Sequence, residues 1–553
     1  MKISTNGTWR ARLVRALTLG LLWQVPQLAA AQITPTATWQ WATRATSTAA
    51  TDDFSEGNFI KVDGTGNTFS AGTFHGTLTL GSTSLAAPGD YDSFLAKYTP
   101  AGAVAWVRHL NGSSQETVVY GLATDNSGNS YVSGYYHGGT MVIGTTTLTG
   151  GGGFVVKYDP QGTVLWARAA GHSFNGLACT ATGELVAMGN FSGSVVFGNT
   201  TLTTPAFSNS SFLVKYDAQA NALWAAQMHG ISNDEGMVSL DPTGNIYFAA
   251  DFTGTATFGP VVLPGNVGDN DTFVAKYSAA GMPLWAVRQP IAGAAGREHA
   301  WALAVDAAGY AYLTGSSEST TSSAQRWFVT QYTPQGAVGW NHLSNTISDS
   351  GLTGVATDAT GNVYVTGGVA GSLSIGGLSL VSSGSNDLNL ALLSFSPQGA
   401  PRWALSAGST TGTESGLALA LDNANNLYLT GVLQGNTTLG SLSIPQNSTA
   451  GEQFVAKVSI SAITATQQAR AAGPLQLYTN PARGSEVTVR WPGLNATPSQ
   501  LLVHDALGRC VLTQALIAGH TDAVLAVDKL KSGIYTLQLK TATATAVGRL
   551  VVE

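Results

Sequence analysis

Short runs of alternating apolar and polar residues, each closed by Gly, Asp, Asn or Pro, fill this chain from about residue 39 onward. A period of two over four to eight residues predicts strands with one face buried, and no long stretch carries a sustained helical period. Between residues 120 and 168 the pattern predicts four strands: Tyr120 to Thr124, Tyr131 to Ser133, Phe154 to Tyr158 and Val164 to Arg168. The first two are joined by Asp125-Asn126-Ser127-Gly128-Asn129, where Gly takes positive φ and Asp bonds its own backbone. The last two are joined by Pro160-Gln161-Gly162, echoed by Pro334-Gln335-Gly336 and Pro397-Gln398-Gly399.

This unit repeats. The Gly-x-x-Tyr/Phe phrase returns at Gly66/Phe69, Gly244/Tyr247, Gly309/Tyr312 and Gly361/Tyr364, and in altered form at Gly183/Val186 and Asn425/Tyr428. An aromatic residue followed eight positions later by Trp recurs at Tyr98/Trp106, Tyr158/Trp166, Tyr216/Trp224, Tyr277/Trp285, Tyr332/Trp340 and Phe395/Trp403. The seventh copy, Phe454 to Lys457, has no Trp after it, while a spare Trp41 precedes the first copy. A linear array has no reason to place its missing strand at the opposite end; a closed ring does. Four strands per unit in seven units predict a seven-bladed β-propeller closed by the N-terminal strand. Pairing the Trp41 strand with Phe454 to Lys457 hides two open sheet edges. An extra apolar-Gly phrase (Leu80-Gly81, Ile143-Gly144, Phe197-Gly198, Phe258-Gly259, Ile375-Gly376, Leu439-Gly440) predicts a small added hairpin in six units. In the fifth unit Ser316 to Arg326 leaves no room for it.

The phrases Asp-x-x-Gly-Asn-x-Tyr-Val-x-Gly, Phe-Val-x-Lys-Tyr-x-Pro-x-Gly and Leu-Trp-Ala resemble the bacterial beta-propeller repeat family across about residues 39–458. Residues 459–473, rich in Ala, Ser, Thr and Gln, read as a linker. Residues 474–553 resemble the C-terminal sorting domain of the type IX secretion system of Bacteroidetes. The resemblance rests on Tyr478-Thr479-Asn480-Pro481-Ala482, Asp505-Ala506-Leu507-Gly508-Arg509, Leu530-Lys531-Ser532-Gly533-Ile534-Tyr535 and Gly548-Arg549-Leu550-Val551-Val552. Thr479 stands where that family usually has Pro, and Glu553 where it often ends on a basic residue. About seven alternating runs here suit a small immunoglobulin-like β-sandwich. The resemblance implies passage across the outer membrane by the type IX machinery, the expected partner, and removal of the domain with transfer of the cargo to a surface lipid.

Composition adds a compartment. Residues 1–31 read as a signal peptide: Lys2, Arg10, Arg12 and Arg15, then apolar Ala16 to Val25, then Ala29-Ala30-Ala31 before Gln32. The apolar stretch is too short to span a bilayer. Removing residues 1–31 moves the net charge from −6 to −10, with 21 Lys and Arg against 31 Asp and Glu. So acidic a chain has no general attraction for nucleic acid or anionic lipid. Cys179 and Cys510 fall in different expected domains, so no disulfide between them is expected and stability rests on packing. The expected domains are therefore 1–31, 32–458, 459–473 and 474–553, secreted or held at the outer cell surface by way of the periplasm.

Candidate chemistry is thin. The Asp-x-x-Gly turns at Asp63, Asp125, Asp241, Asp306, Asp358 and Asp422 read as hairpin turns, since they lack the oxygen spacing of a calcium loop. Asp90-Tyr91-Asp92 and Asp269-Asn270-Asp271 are denser and admit a surface cation. Lys97, Lys157, Lys215, Lys276 and Lys457 recur at one strand position, which fits a contact between units better than a catalytic amine. His75, His109, His137, His172, His229 and His342 form no metal-ligand spacing and read as solvated strand ends. No nucleophile elbow, phosphate loop or zinc motif is present. The expectation is a non-catalytic binding scaffold with no catalytic, cofactor or metal residue, its ligand a glycan or a protein. The rival is a carbohydrate-active or other hydrolase using Glu116, Glu235, Glu298 or Glu414 at the ring axis.

Overall fold

A computed structural model describes residues 36–553 apart from 48–53, 113–115, 171–172, 206–208, 233–235, 267–268, 291–295, 320–324, 346–350, 383–386, 410–411, 447–450, 462–474, 479, 483, 492–497, 506–509, 517–521 and 542–544. The expected signal peptide, most of the expected linker, Thr479, Glu235, His172 and the Ala506–Arg509 motif lie outside the described residues. Among the described residues there is no helix; the protein is all-β.

The four strands expected between 120 and 168 are Thr117–Thr124, Ser130–Tyr136, Gly152–Tyr158 and Val164–Ala170, an antiparallel meander in that order. The third is buried along its whole length, which explains its unbroken apolar run. The same order recurs in the sheet from Gly296–Val305 to Val338–Leu343 and in the sheet running from Gly351–Thr357 to Pro401–Ala407. The first unit's strands join the small hairpin Thr140–Ile143/Thr146–Thr149 in a six-stranded sheet. The third and fourth units share a nine-stranded sheet. The added hairpins form at all six apolar-Gly phrases, as at Ser194–Phe197/Thr200–Thr203 and Thr255↔Pro264 to Phe258↔Val261. In the fifth unit Ala311–Ser319 pairs directly with Gln325–Tyr332.

The remaining four-stranded sheet contains both ends of the repeat region. Its order is Thr36–Arg44, Glu452–Ser461, Leu427–Leu433, Glu414–Leu421. Trp41 lies opposite Lys457, the register in which Lys97 faces Trp106, Lys157 faces Trp166 and Lys276 faces Trp285. The strand Glu452–Ser461 pairs with Thr36–Thr38 through its last residues, so 459–461 are sheet and not the start of a linker.

Each repeated residue has a packing role. In three units the indole N–H donates to the Pro-x-Gly turn of the following unit: Trp106 to Pro160 O at 3.1 Å, Trp285 to Pro334 O at 3.0 Å and Trp340 to Pro397 O at 3.1 Å. Trp224 donates to Ala279 O at 3.3 Å, and Trp166 and Trp403 serve by packing alone. Trp41 donates to Pro100 O at 3.1 Å, so the first unit's turn is clasped by the strand paired to the last unit. The turn glycine must be bare: a Cβ on Gly102, held at φ +87°, would lie 2.6 Å from the Trp41 ring. Four of the five recurring lysines lie over the second-strand aromatic ring, with Lys97 Nζ 5.0 Å from Phe69 and Lys276 Nζ 4.7 Å from Tyr247, while Lys215, opposite Val186, pairs with Glu184 at 2.9 Å. Lys97 also donates to Pro160 O at 3.0 Å. In the fifth unit Gln331 replaces the lysine and donates to both Tyr312 Oη and Pro397 O.

The C-terminal residues form two sheets, Gln476–Tyr478/Glu486–Arg490/Asp522–Ala526 and Cys510–Ala515/Pro498–His504/Gly533–Thr541/Thr545–Val552. Val487, Val489, Trp491, Leu501, Val503, Leu525, Leu537, Leu539 and Leu550 share one buried core between them.

Candidate functional site

One cavity of about 440 Å³ is lined by residues of Phe54–Val62, Thr117–Thr124, Ser173–Cys179, Met237–Leu240, Gly296–Val305, Gly351–Thr357 and Glu414–Leu421. These are the first strands of successive units. Six of them carry a β-bulge, at Asn58, Tyr120, Asn175, Trp301, Thr353 and Leu417, and all six of those residues line the cavity. A bulge bends its strand and re-aims one side chain, here toward a common space. A glycine beside most bulges lets a first strand pack closely on the second strand of a neighbouring unit: a Cβ on Gly57 would lie 2.0 Å from Thr430 Oγ1, and one on Gly416 2.2 Å from Thr366 Oγ1. The bulge residues differ from unit to unit, whereas the packing residues repeat.

Most of the lining is apolar, including Phe59, Val118, Leu177, Val238 and Leu303. Its charged members are Glu56, which accepts from Asn58 at 2.8 Å, and Lys61. Lys61 touches the cavity's solvent, and the protein packed around it lowers its pKa.

Trp301 also borders a second, polar cavity of about 440 Å³, with Ser232, Asp251, Asn270, Arg297 and His299. Asp251 comes from Ile246–Phe258, opposite Thr272, and His299 and Trp301 come from the bulged strand Gly296–Val305. Asp251 is the hub. Its Oδ1 accepts from Thr272 Oγ1 at 2.7 Å and Ala300 N at 3.0 Å; its Oδ2 meets His299 Nδ1 at 2.9 Å and accepts from Asn270 Nδ2 at 3.0 Å. That hydrogen bond from the imidazole raises the His299 pKa against the opposing effect of burial. Trp301 is 38% exposed, with its indole N–H donating to Ser316 Oγ at 3.1 Å.

Glu298 lies beside this recess and is buried. Burial pushes its carboxyl pKa up to about 7, and Asp271 and Asp251 push in the same direction against Thr272 N–H and Arg288. A carboxyl raised from 4.5 favours the folded state while protonated, so this stabilisation is whole below about 4.5 and is lost as pH rises through about 7. Thermal unfolding followed from pH 4.5 to 8 should show this decline, worth up to about 3 kcal/mol. Glu298→Gln should flatten it; a decline of unchanged depth in that variant would refute the assignment.

The structure separates the other candidates. Glu414 is buried among Ser409, Thr437 and Asn389, away from the Asp251 hub's partners, while Glu116 lies 3.6 Å from the exposed His137. The Asp-x-x-Gly carboxylates are consumed locally: Asp63 accepts from Thr65 N, Thr65 Oγ1, Asn67 N and Asn67 Nδ2. Burial would raise its pKa, but those donors from Asn67 and Thr65 hold it below the usual range. Asp92 binds His109 at 2.8 Å, and Asp271 binds Asn266 and lies 3.6 Å from Arg288, so one carboxylate of each denser pair serves the protein's own groups. Several histidines expected to be solvated are instead fixed, with His109 on Asp92, His342 on Gly399 O and His229 on Ser210. Among the described residues no three His, Cys, Asp or Glu side chains gather as a metal cage. Asp251, Arg297, His299 and Trp301 were not singled out by sequence reasoning. The one available signal was Arg297-Glu298-His299-Ala300-Trp301, a run of consecutive charged residues and a histidine beside a Trp that no other first strand carries.

Comparison with known proteins agrees with this organisation. Residues 476–553 match the secretion system C-terminal sorting domain, and residues 105–135 match the beta-propeller repeat. The chain thus carries a beta-propeller repeat and a sorting domain that directs it out of the cell, to the surface or the medium. An uncharacterised WD repeat-containing protein of Acanthamoeba polyphaga mimivirus is 24% identical over 274 residues, covering 35% of this chain. The match spans 19% of that protein's length. Among solved structures, a Dyadobacter fermentans protein of unknown function is 10% identical, with 77% of this chain and 99% of that one covered and a TM-score of 0.36. A gluconolactonase from Xanthomonas campestris is 14% identical, with 68% and 91% covered and a TM-score of 0.32. An ulvan lyase, a polysaccharide lyase, is 9% identical, with 70% and 93% covered and a TM-score of 0.38.

Proposed function

We propose that this is an exported, non-catalytic binding scaffold: a seven-bladed β-propeller closed by its N-terminal strand, followed by an immunoglobulin-like sorting domain. The six-stranded sheet then contributes one blade and the nine-stranded sheet two. The ring runs from about residue 36 to 461, after a signal peptide at 1–31, and the sorting domain occupies 474–553. Closure is supported by the Trp41 strand in the last sheet and by its clasp on Pro100. The observation that carries the binding role is the contrast among repeated positions. Residues that recur in every unit are consumed by packing, while the bulge residues Asn58, Tyr120, Asn175, Trp301, Thr353 and Leu417 vary and line one shared cavity. A rigid ring that holds different side chains around one opening presents a non-repeating recognition surface, whatever the fold's other uses.

The test is binding by the secreted chain to glycan and protein arrays. A variant with Asn58, Tyr120 and Trp301 all changed to Ala should lose the ligand that the wild-type chain retains, with its melting temperature nearly unchanged. Retention undiminished in the triple variant, or turnover of a polysaccharide by the wild-type chain, would sink the proposal.

A further inference from the structure

The recess beside Trp301 has a donor inventory that narrows its ligand. Asp251 already accepts four hydrogen bonds. Asn270 donates to Asp251 and to Glu298 O, and its Oδ1 accepts from Ser232 Oγ at 3.3 Å. Their polar capacity is spent within the protein. What the recess offers a visitor is the exposed Arg297 guanidinium, the Nε2 edge of the half-exposed His299 and the uncovered part of the Trp301 ring. Because Nδ1 is turned to Asp251, Nε2 is the nitrogen left for a ligand, and on the imidazolium it is a donor. Two cationic donors beside an indole plane match an anionic group carried on a ring with an apolar C–H face.

We infer that this recess binds an acidic saccharide, a pyranose whose carboxylate or sulfate meets Arg297 and His299 while its ring lies on Trp301. The inference rests on the binding reading above and names its ligand class. A chain of net charge −6 does not attract polyanions over long range, so selectivity comes from these contacts alone. The acidic groups around the recess (Asp251, Asp271, Glu298 and Glu318) are not outnumbered by Arg288, Arg297 and His299, so an anion is held by direct contact with Arg297 and His299 and not by the local net charge. Affinity therefore falls as pH rises through the raised pKa of His299.

The experiment is calorimetric titration of the full secreted chain with oligogalacturonate, a sulfated galactan oligosaccharide and a neutral galactan oligosaccharide of equal length. At least one acidic probe should bind, and the neutral one about tenfold or more weakly. Which acidic probe binds separates carboxylate from sulfate. Arg297→Gln and Trp301→Ala should each weaken it about tenfold or more, with melting unchanged. His299→Gln should reduce the loss of affinity between pH 6 and 8, and His299→Gln combined with Glu298→Gln should remove it, because Glu298 also ionises there; a purely structural role of His299 would leave the loss in the single variant unchanged. Equal binding of the neutral oligosaccharide overturns the inference while leaving the scaffold reading intact. Failure of both acidic probes to bind, or binding indifferent to Arg297→Gln and Trp301→Ala, overturns it as well.

Discussion

A chain lacking residues 36–47 should lose cooperative unfolding near the wild-type temperature, melting roughly 10 °C or more lower. The deletion removes a strand paired at eight positions from Thr36↔Ser461 to Arg44↔Phe454, together with buried Trp39 and Ala45. It also removes the Trp41 clasp on Pro100 and the bond from Thr43 Oγ1 to Gly102 O at 2.9 Å. Glu452 would be left inside the protein without its cation, and the strand Glu452–Ser461 would become an open edge prone to pair with other chains. Calorimetry with light scattering reads both effects. An unchanged melting profile would show that the N-terminal strand is dispensable and that the ring reading is wrong.

Breaking the ion pair at that seam should be nearly as damaging. Arg44 and Glu452 are 2.5 Å apart, with side-chain exposures of 2% and 0%. Arg44 also donates to Gly435 O and Leu433 O at 2.8 Å each, and Glu452 Oε1 accepts from Ser47 N and Oγ. The pair therefore ties the N-terminal strand to its neighbour and to the nearby loop. Arg44→Met leaves a buried carboxylate unpaired and should cost about 3–5 kcal/mol in denaturant unfolding. Combining it with Glu452→Leu should recover part of that loss, because an apolar pair removes the orphaned charge. The recovery will be incomplete, since the carbonyls of Leu433 and Gly435 lose their donor. Additive losses in the double variant would mean that the two side chains do not act as a pair.

Much of the architecture was legible because packing in a repeat is periodic. Tyr158/Trp166 and its equivalents mark third and fourth strands, since the Trp must reach the next unit's turn from a fixed register. The lysines were readable as contacts for the same reason: a residue needed once per unit is rarely chemical. The site was not legible, because it is built from what the repeat leaves free. Trp301 carries no periodic signal, and only the bulge between Ala300 and Ala302 turns it to the cavity. Asp251 and His299 are 48 residues apart and meet across neighbouring sheets. Glu298 and Glu414 looked equivalent in sequence, yet one adjoins the recess and the other is enclosed by Ser409, Thr437 and Asn389.

The sequence by itself determined the strands, their turns, the unit length and the displaced Trp41, because alternation, Gly and Asp turns and a fixed Trp offset are local constraints. Only the tertiary structure decided which side chains meet at the opening, that Arg44 finds Glu452, and that Asp251 aims His299. Those outcomes depend on strand register and bulges that bring distant residues within hydrogen-bonding reach, and no local pattern encodes them.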